Sequence, residues 1–149
     1  MLLAIALAAF SVTATLPARA DHCEDTAKQL KAQIDGLKVG ITAANIIYLS
    51  HPLAKEFSLG CPNKKYSNEL YAKTDGRKPK AEFIAMVASA AALVFTLPKD
   101  EMLKGVSRCL SQMGIIRGDD INTRFRRLDM NCNRTKTEAS IAISRGLDQ

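Results

Sequence analysis

The stretch FIAMVASAAALVFTL, residues 83–97, contains no charged side chain, and any fold this chain adopts must place it away from water. Fifteen residues rising ~1.5 Å each make a helix of about 22 Å, shorter than the ~30 Å hydrocarbon core of a bilayer. Lys78 and Lys80 precede it and Lys99, Asp100 and Glu101 follow, so the apolar run cannot be extended into a span. Its apolar residues lie all round the helix, which places it centrally in a folded core. Pro79 suits a first turn and Pro98 marks the end. Ala85, Ala88, Ala90, Ala91 and Ala92 leave one side thin enough for close packing. Only Ser89 and Thr96 offer polar groups, so packing rather than ligand lining is expected here.

A second uncharged run opens the chain. MLLAIALAAFSVTATLPARA carries no charge before Arg19 and ends in Ala18-Arg19-Ala20, the small-residue pattern of an export leader cut before Asp21. No Lys or Arg precedes the apolar segment, which departs from the usual leader. The domain plan is therefore residues 1–20 as signal peptide and 21–149 as one disulfide-stabilised globular domain. Export into a periplasm or to the outside follows, with no membrane span in the mature chain. Loss of Arg19 with the leader lowers the formal charge of +6 by one. A basic balance of this size favours anionic neighbours without choosing among them.

All four cysteines, Cys23, Cys61, Cys109 and Cys132, lie beyond the leader. An even number in an exported chain reads as two disulfides. Gaps of 38, 48 and 23 residues exclude the close pairs of a zinc site or a thioredoxin-like centre, so neither metal nor cofactor is expected.

Local patterns predict an α+β fold: a small antiparallel β-hairpin or three-stranded sheet packed against four to five helices, with two disulfides. Cys23, Ala27, Leu30, Ile34 and Leu37 recur at helical spacing over 22–36, closed by Gly36 and Gly40. NIIYLS and KEFSLG flank HPLA and suggest strands near 45–50 and 55–60, with a weaker third at 68–73. A helix opening on PKDEM should run to Gly114, its acidic residues facing the positive end of the dipole. Asp119 or Asp120 can cap a further helix presenting Ile121, Phe125, Leu128 and Cys132 on one face. A last short helix is expected from about Lys136 to Arg145. Short antiparallel connections between these elements imply the pairing Cys23–Cys109 and Cys61–Cys132.

Catalytic motifs are missing: no G-x-S-x-G, nucleotide-binding loop or H-E-x-x-H occurs. His51, in the expected hairpin turn, is the one candidate general base, and the fold would have to supply its partner. The Arg117-Gly118-Asp119 tripeptide reads as a loop and a helix cap rather than an adhesion motif, and Asn133-Arg134-Thr135 fits a glycosylation acceptor. Two basic stretches are more informative, 61–80 with Tyr66 and Tyr71 interleaved, and 117–136. From them Lys64, Lys65, Arg77, Lys78, Arg124 and Arg127 are the candidate anion-binding residues. The expected role is a non-catalytic binding or interaction protein, with a basic face for an anionic envelope component or an unknown protein partner; nucleic acid is not expected. Two other readings stand beside it. One is a small enzyme whose site converges only in the fold, around His51 or a perturbed carboxylate. The other is a structural or inhibitory partner of one envelope protein, marked by an exposed apolar patch.

Overall fold

The structure, a computed structural model, describes residues 20–114 and 116–147. Residues 1–19, where the leader is expected, lie outside that range. The chain runs α1 (Ala20–Gln33), β1 (Lys38–Ala43), β2 (Ile46–His51), β3 (Ala54–Gly60), β4 (Tyr66–Asp75), α2 (Ala81–Phe95), α3 (Lys99–Gln112), β5 (Asp120–Phe125), β6 (Leu128–Arg134) and β7 (Glu138–Gly146). All seven strands form one antiparallel sheet in the order β1-β2-β3-β4-β7-β6-β5. Strands β1 to β4 meander from one edge. The α2–α3 pair then carries the chain to the far edge, and β5 to β7 return until β7 closes on β4.

The expected three-stranded sheet with four to five helices is thus replaced, among the described residues, by a seven-stranded sheet with three helices. Central helix, preceding hairpin and third strand fall where the pattern placed them, at α2, β2–β3 and β4. The region after Gly118 does not. Ile121, Phe125, Leu128 and Cys132 do recur at helical spacing, but the buried set is Ile121, Leu128, Met130 and Cys132, with a strand's two-residue period on β6. The turn between β5 and β6 hides from sequence. Arg126 and Arg127 both take left-handed backbone, φ 51° and 63°, the geometry of a primed hairpin turn usually signalled by Asn-Gly. The last predicted helix is β7, whose Ala139, Ile141 and Ile143 alternate into the core. Strand β1 was hidden by Gly40, which reads as a helix stop. Instead it marks a bulge, where a Cβ would come within 3.0 Å of the Tyr48 carbonyl oxygen.

One face of the sheet is covered. The register aligns Ile47, Leu59, Leu70, Ile143 and Met130 in one cross-strand row and Leu49, Phe57, Ala72, Ile141, Cys132 and Ile121 in the next. All are buried in a single core with Leu30 of α1, Phe83 and Val87 of α2, and Met102 and Val106 of α3. The alanines of α2 serve this layer: Ala88, Ala90 and Ala91 are fully buried. Gly105 of α3 lets that helix approach the β5–β6 hairpin, because a Cβ there would stand 2.7 Å from the Phe125 ring.

The disulfides join this layer to the sheet in a pairing different from the predicted one. Cys23 bonds Cys61 and Cys109 bonds Cys132, with Cα separations of 5.6 and 6.0 Å. The predicted pairing needed a helix to carry Cys132 away from Cys109. In the hairpin, Cys132 instead points from β6 straight into α3. Each bridge ties one helix to one strand or strand end, closing loops worth roughly 3–4 kcal/mol apiece.

Candidate functional site

Among the described residues no helix covers the opposite face of the sheet. Its residues interleave with the core rows and run Glu56, Lys73, Ser140, Asn133, Asp120; then Tyr48, Ser58, Tyr71, Ala142, Asn131, Asn122; then Glu69, Ser144, Asp129, Arg124. Along its middle, strand β7 contributes the short Ser140, Ala142 and Ser144 between the longer side chains of β4 and β6, each strand ~4.8 Å away, with Glu138 at its start. The result is a trough along β7, with one wall of Lys73, Tyr71 and Glu69 and the other of Asn133, Asn131 and Asp129. Two hollows of about 440 and 140 Å³ lie in it. Asn131 is fixed there: its Nδ2 donates to Asp120 Oδ1 and Asn122 Oδ1, both at 2.9 Å, leaving its own carbonyl oxygen as a free acceptor. Glu69 makes no hydrogen bond or ion pair with the described residues, and partial burial raises its carboxyl above the usual value.

The two ends of the sheet treat their charges differently. Where β4 ends, Asp119 accepts from Arg77 Nη2 at 3.0 and 3.1 Å and from Arg134 Nε at 2.6 Å, and Arg134 foremost holds its pKa down. Arg77 also donates to the Thr135 carbonyl at 3.0 Å. Close by, Lys55 pairs with Glu138 and with Asp75 (3.4 Å), and Lys73 with Glu56 (2.7 Å) and Glu138 (3.3 Å). The Glu138 carboxyl is lowered, chiefly by its hydrogen bond from Lys55.

Where β4 begins, the cations are open. Lys64 and Lys65 sit in the β3–β4 loop and Arg127 in the β5–β6 turn, all exposed, and among the described residues none of the three forms an ion pair. Arg124, on the open face beside that turn, lies 3.9 Å from Asp129. Strand order therefore brings Lys64, Lys65, Arg124 and Arg127 to one end of the sheet and places Arg77 and Lys78 at the other. The two basic stretches do meet in part: Arg77 of one and Arg134 of the other share the Asp119 carboxylate.

His51 closes β2. Its Nδ1 accepts from the Leu53 N–H at 3.1 Å, so Nε2 is the protonated nitrogen and donates to the Asp35 carbonyl at 2.9 Å. Both nitrogens are committed to backbone, and the trough lies elsewhere. Of the two features named for an enzyme site, the polar cleft holds a perturbed carboxylate, Glu69, and not His51. The Asp119 carboxylate is likewise committed, so the Arg117–Asp119 tripeptide presents no free acid. Its loop is pinched by paired bonds between Gly114 and Gly118 (3.1 and 2.8 Å) and displays Ile116, which is 98% exposed. Asn133 stands within the β6 ladder rather than on a loop.

Sequence reading missed the site because β5, β6 and β7, which set Asn122 and Asn131 across from Glu69 of the expected third strand, were read as helix. The signal was present as S-I-A-I-S and L-D-M-N-C-N, two period-two patterns with a polar outer set. No helix among the described residues is long and apolar enough to cross a membrane, and no cluster of potential metal ligands occurs among them. Set against protein-family models, curated proteins and solved structures, the chain matches none.

Proposed function

We propose that this is an exported binding protein that recognises an anionic, hydroxyl-rich partner of the cell envelope, an acidic glycan, at the basic end and along the trough. The observation that carries the reading is the contrast between the two ends. Arg77 and Arg134 are consumed by Asp119, whereas Lys64, Lys65 and Arg127 are exposed and, among the described residues, form no ion pair where the trough opens. Carboxylates, amides and hydroxyls along the trough suit the hydroxyl groups of a sugar chain, and Tyr71 offers a ring to its apolar edge. Two disulfides and the lack of a membrane-crossing helix among the described residues are consistent with export.

Retention on immobilised polygalacturonate at low ionic strength tests this. Retention should fall steeply as salt rises, because exposed charge attraction is screened within ~10 Å at 0.1 M. The triple variant Lys64→Gln, Lys65→Gln, Arg127→Gln should lose at least tenfold in affinity, and Arg77→Gln should retain it. Failure of the wild-type protein to bind any polyanion at low salt sinks the reading.

A second reading has one observation in its favour. Edge strand β1 is exposed at all six residues, Ile41 at 73%, and among the described residues no other strand pairs with its outer edge. Such an edge can accept a strand from a protein partner. Cross-linking from an Ile41→Cys variant to a single envelope protein would favour it over glycan binding.

A further inference from the structure

At one end of the covered face two neighbouring polar residues interrupt the apolar pattern, as Thr74 does alone at the other end of β4. On β7 the inward row Ala139, Ile141, Ile143 continues to Arg145; on β4 the inward row Leu70, Ala72 is preceded by Asn68. The register between these strands shifts between Tyr66 and Glu69, a bulge of the kind that re-aims side chains. Both side chains open onto a cavity of about 370 Å³ at the end of the helix–sheet layer, between the start of α1 and the end of α2. Asn68 is only 7% exposed, and its amide makes no hydrogen bond with the described residues. Among the described residues every buried side-chain nitrogen and oxygen has a partner, so the unbonded Asn68 amide keeps its polar atoms accessible within the cavity, where an entering group can reach them.

Arg145 donates from Nη2 to the Phe95 carbonyl at 2.9 Å, and its guanidinium carbon lies 5.8 Å from the centre of the Phe95 ring. That uses one of five N–H donors, and among the described residues no carboxylate pairs with it. His22 stands at the rim. Among the described residues no acidic side chain lines the cavity, and Val94, Phe95 and Leu147 provide apolar wall. A planar fork beside a free amide donor matches a carboxylate, and the walls match a short hydrocarbon body.

We propose that this cavity binds a small organic acid, a carboxylate carried on an apolar body, with Arg145 and Asn68 holding the carboxylate. The site is separate from the trough, though Pro62 and Ser67 of its lining flank the loop that carries Lys64 and Lys65, and it stands whether or not those bind a glycan. Octanoate and phenylacetate serve as probes, with octanol as the uncharged counterpart, and binding is read by the Asn68 side-chain amide resonances and by the thermal midpoint. Either acid should shift those resonances saturably and raise the midpoint, while octanol does neither. Arg145→Gln should weaken binding at least tenfold. Asn68→Leu should fill the cavity, keep both disulfides and abolish the response. Octanol binding as tightly as octanoate would show an apolar hole and overturn the assignment, as would Asn68 resonances unmoved by both acids, or affinity unchanged in Asn68→Leu. The Lys64, Lys65, Arg127 triple variant should bind octanoate normally, which separates failure here from failure of the glycan reading.

Discussion

The two faces of the sheet share every strand and differ in everything else. Ile143 and Ser144 are neighbours on β7, yet one is sealed against the helices and the other lies in an open trough. The covered face has apolar residues in every aligned row and both disulfides at its border. The open face carries opposite charges, amides and a tyrosine row, with no apolar core to lose. Stability and recognition are thus assigned to alternate residues of the same strands, and substitutions one step apart should report on different properties.

The largest effect is expected from the covered side. Ile143→Ala should cost about 2–5 kcal/mol in denaturant unfolding, through lost burial and the cavity left behind. Ser144→Ala, one residue on, should stay within ~0.5 kcal/mol. Comparable losses at both positions would mean that something covers the open face. Next in size is the bridge from α3 to β6: replacing Cys109 and Cys132 together by serine should remove about 3 kcal/mol. The same double variant should leave binding at the basic end unchanged, because Arg124 and Arg127 are set by the β5–β6 turn and not by the bridge.

That division of labour explains what could be read from sequence and what could not. The Ala-rich α2 was legible because an uncharged run between prolines has few places to go. Strands β2 and β3 were legible because His51-Pro52 marks a turn between β-branched runs. The β5–β7 meander was not, since the Arg126-Arg127 turn lacks its usual Asn-Gly signal and Ile121, Phe125, Leu128 and Cys132 mimic a helical face. Losing those strands lost the trough, because its walls exist only once β4, β7 and β6 are aligned. It also misdirected the cysteine pairing, which depended on where the chain carries Cys132. The basic residues were visible by composition, but the division into a closed end and an open end rests on Asp119 meeting Arg77 and Arg134, which only the fold supplies.

The smallest expected effect tests the trough from within. Burial raises the Glu69 carboxyl in the folded protein, with no cation to offset it, so the fold prefers the protonated acid. A group of this kind supports folding below its unfolded-state value, roughly pH 4.3, and that support is lost as pH rises through the folded-state value. Glu69→Gln removes the ionisation while keeping the shape. The variant should therefore unfold at a slightly higher temperature than wild type at pH 7, and the difference should close below about pH 4. Asp119→Asn should behave in the opposite sense: Arg134 and Arg77 depress that acid, so wild type draws stability from it at neutral pH and loses that advantage as pH falls through the lowered value. Thermal melts of both variants from pH 3 to 8 would decide the matter. If Glu69→Gln is destabilising at pH 7, the carboxylate has found a favourable partner in the trough, and the open face is more organised than its side chains alone require.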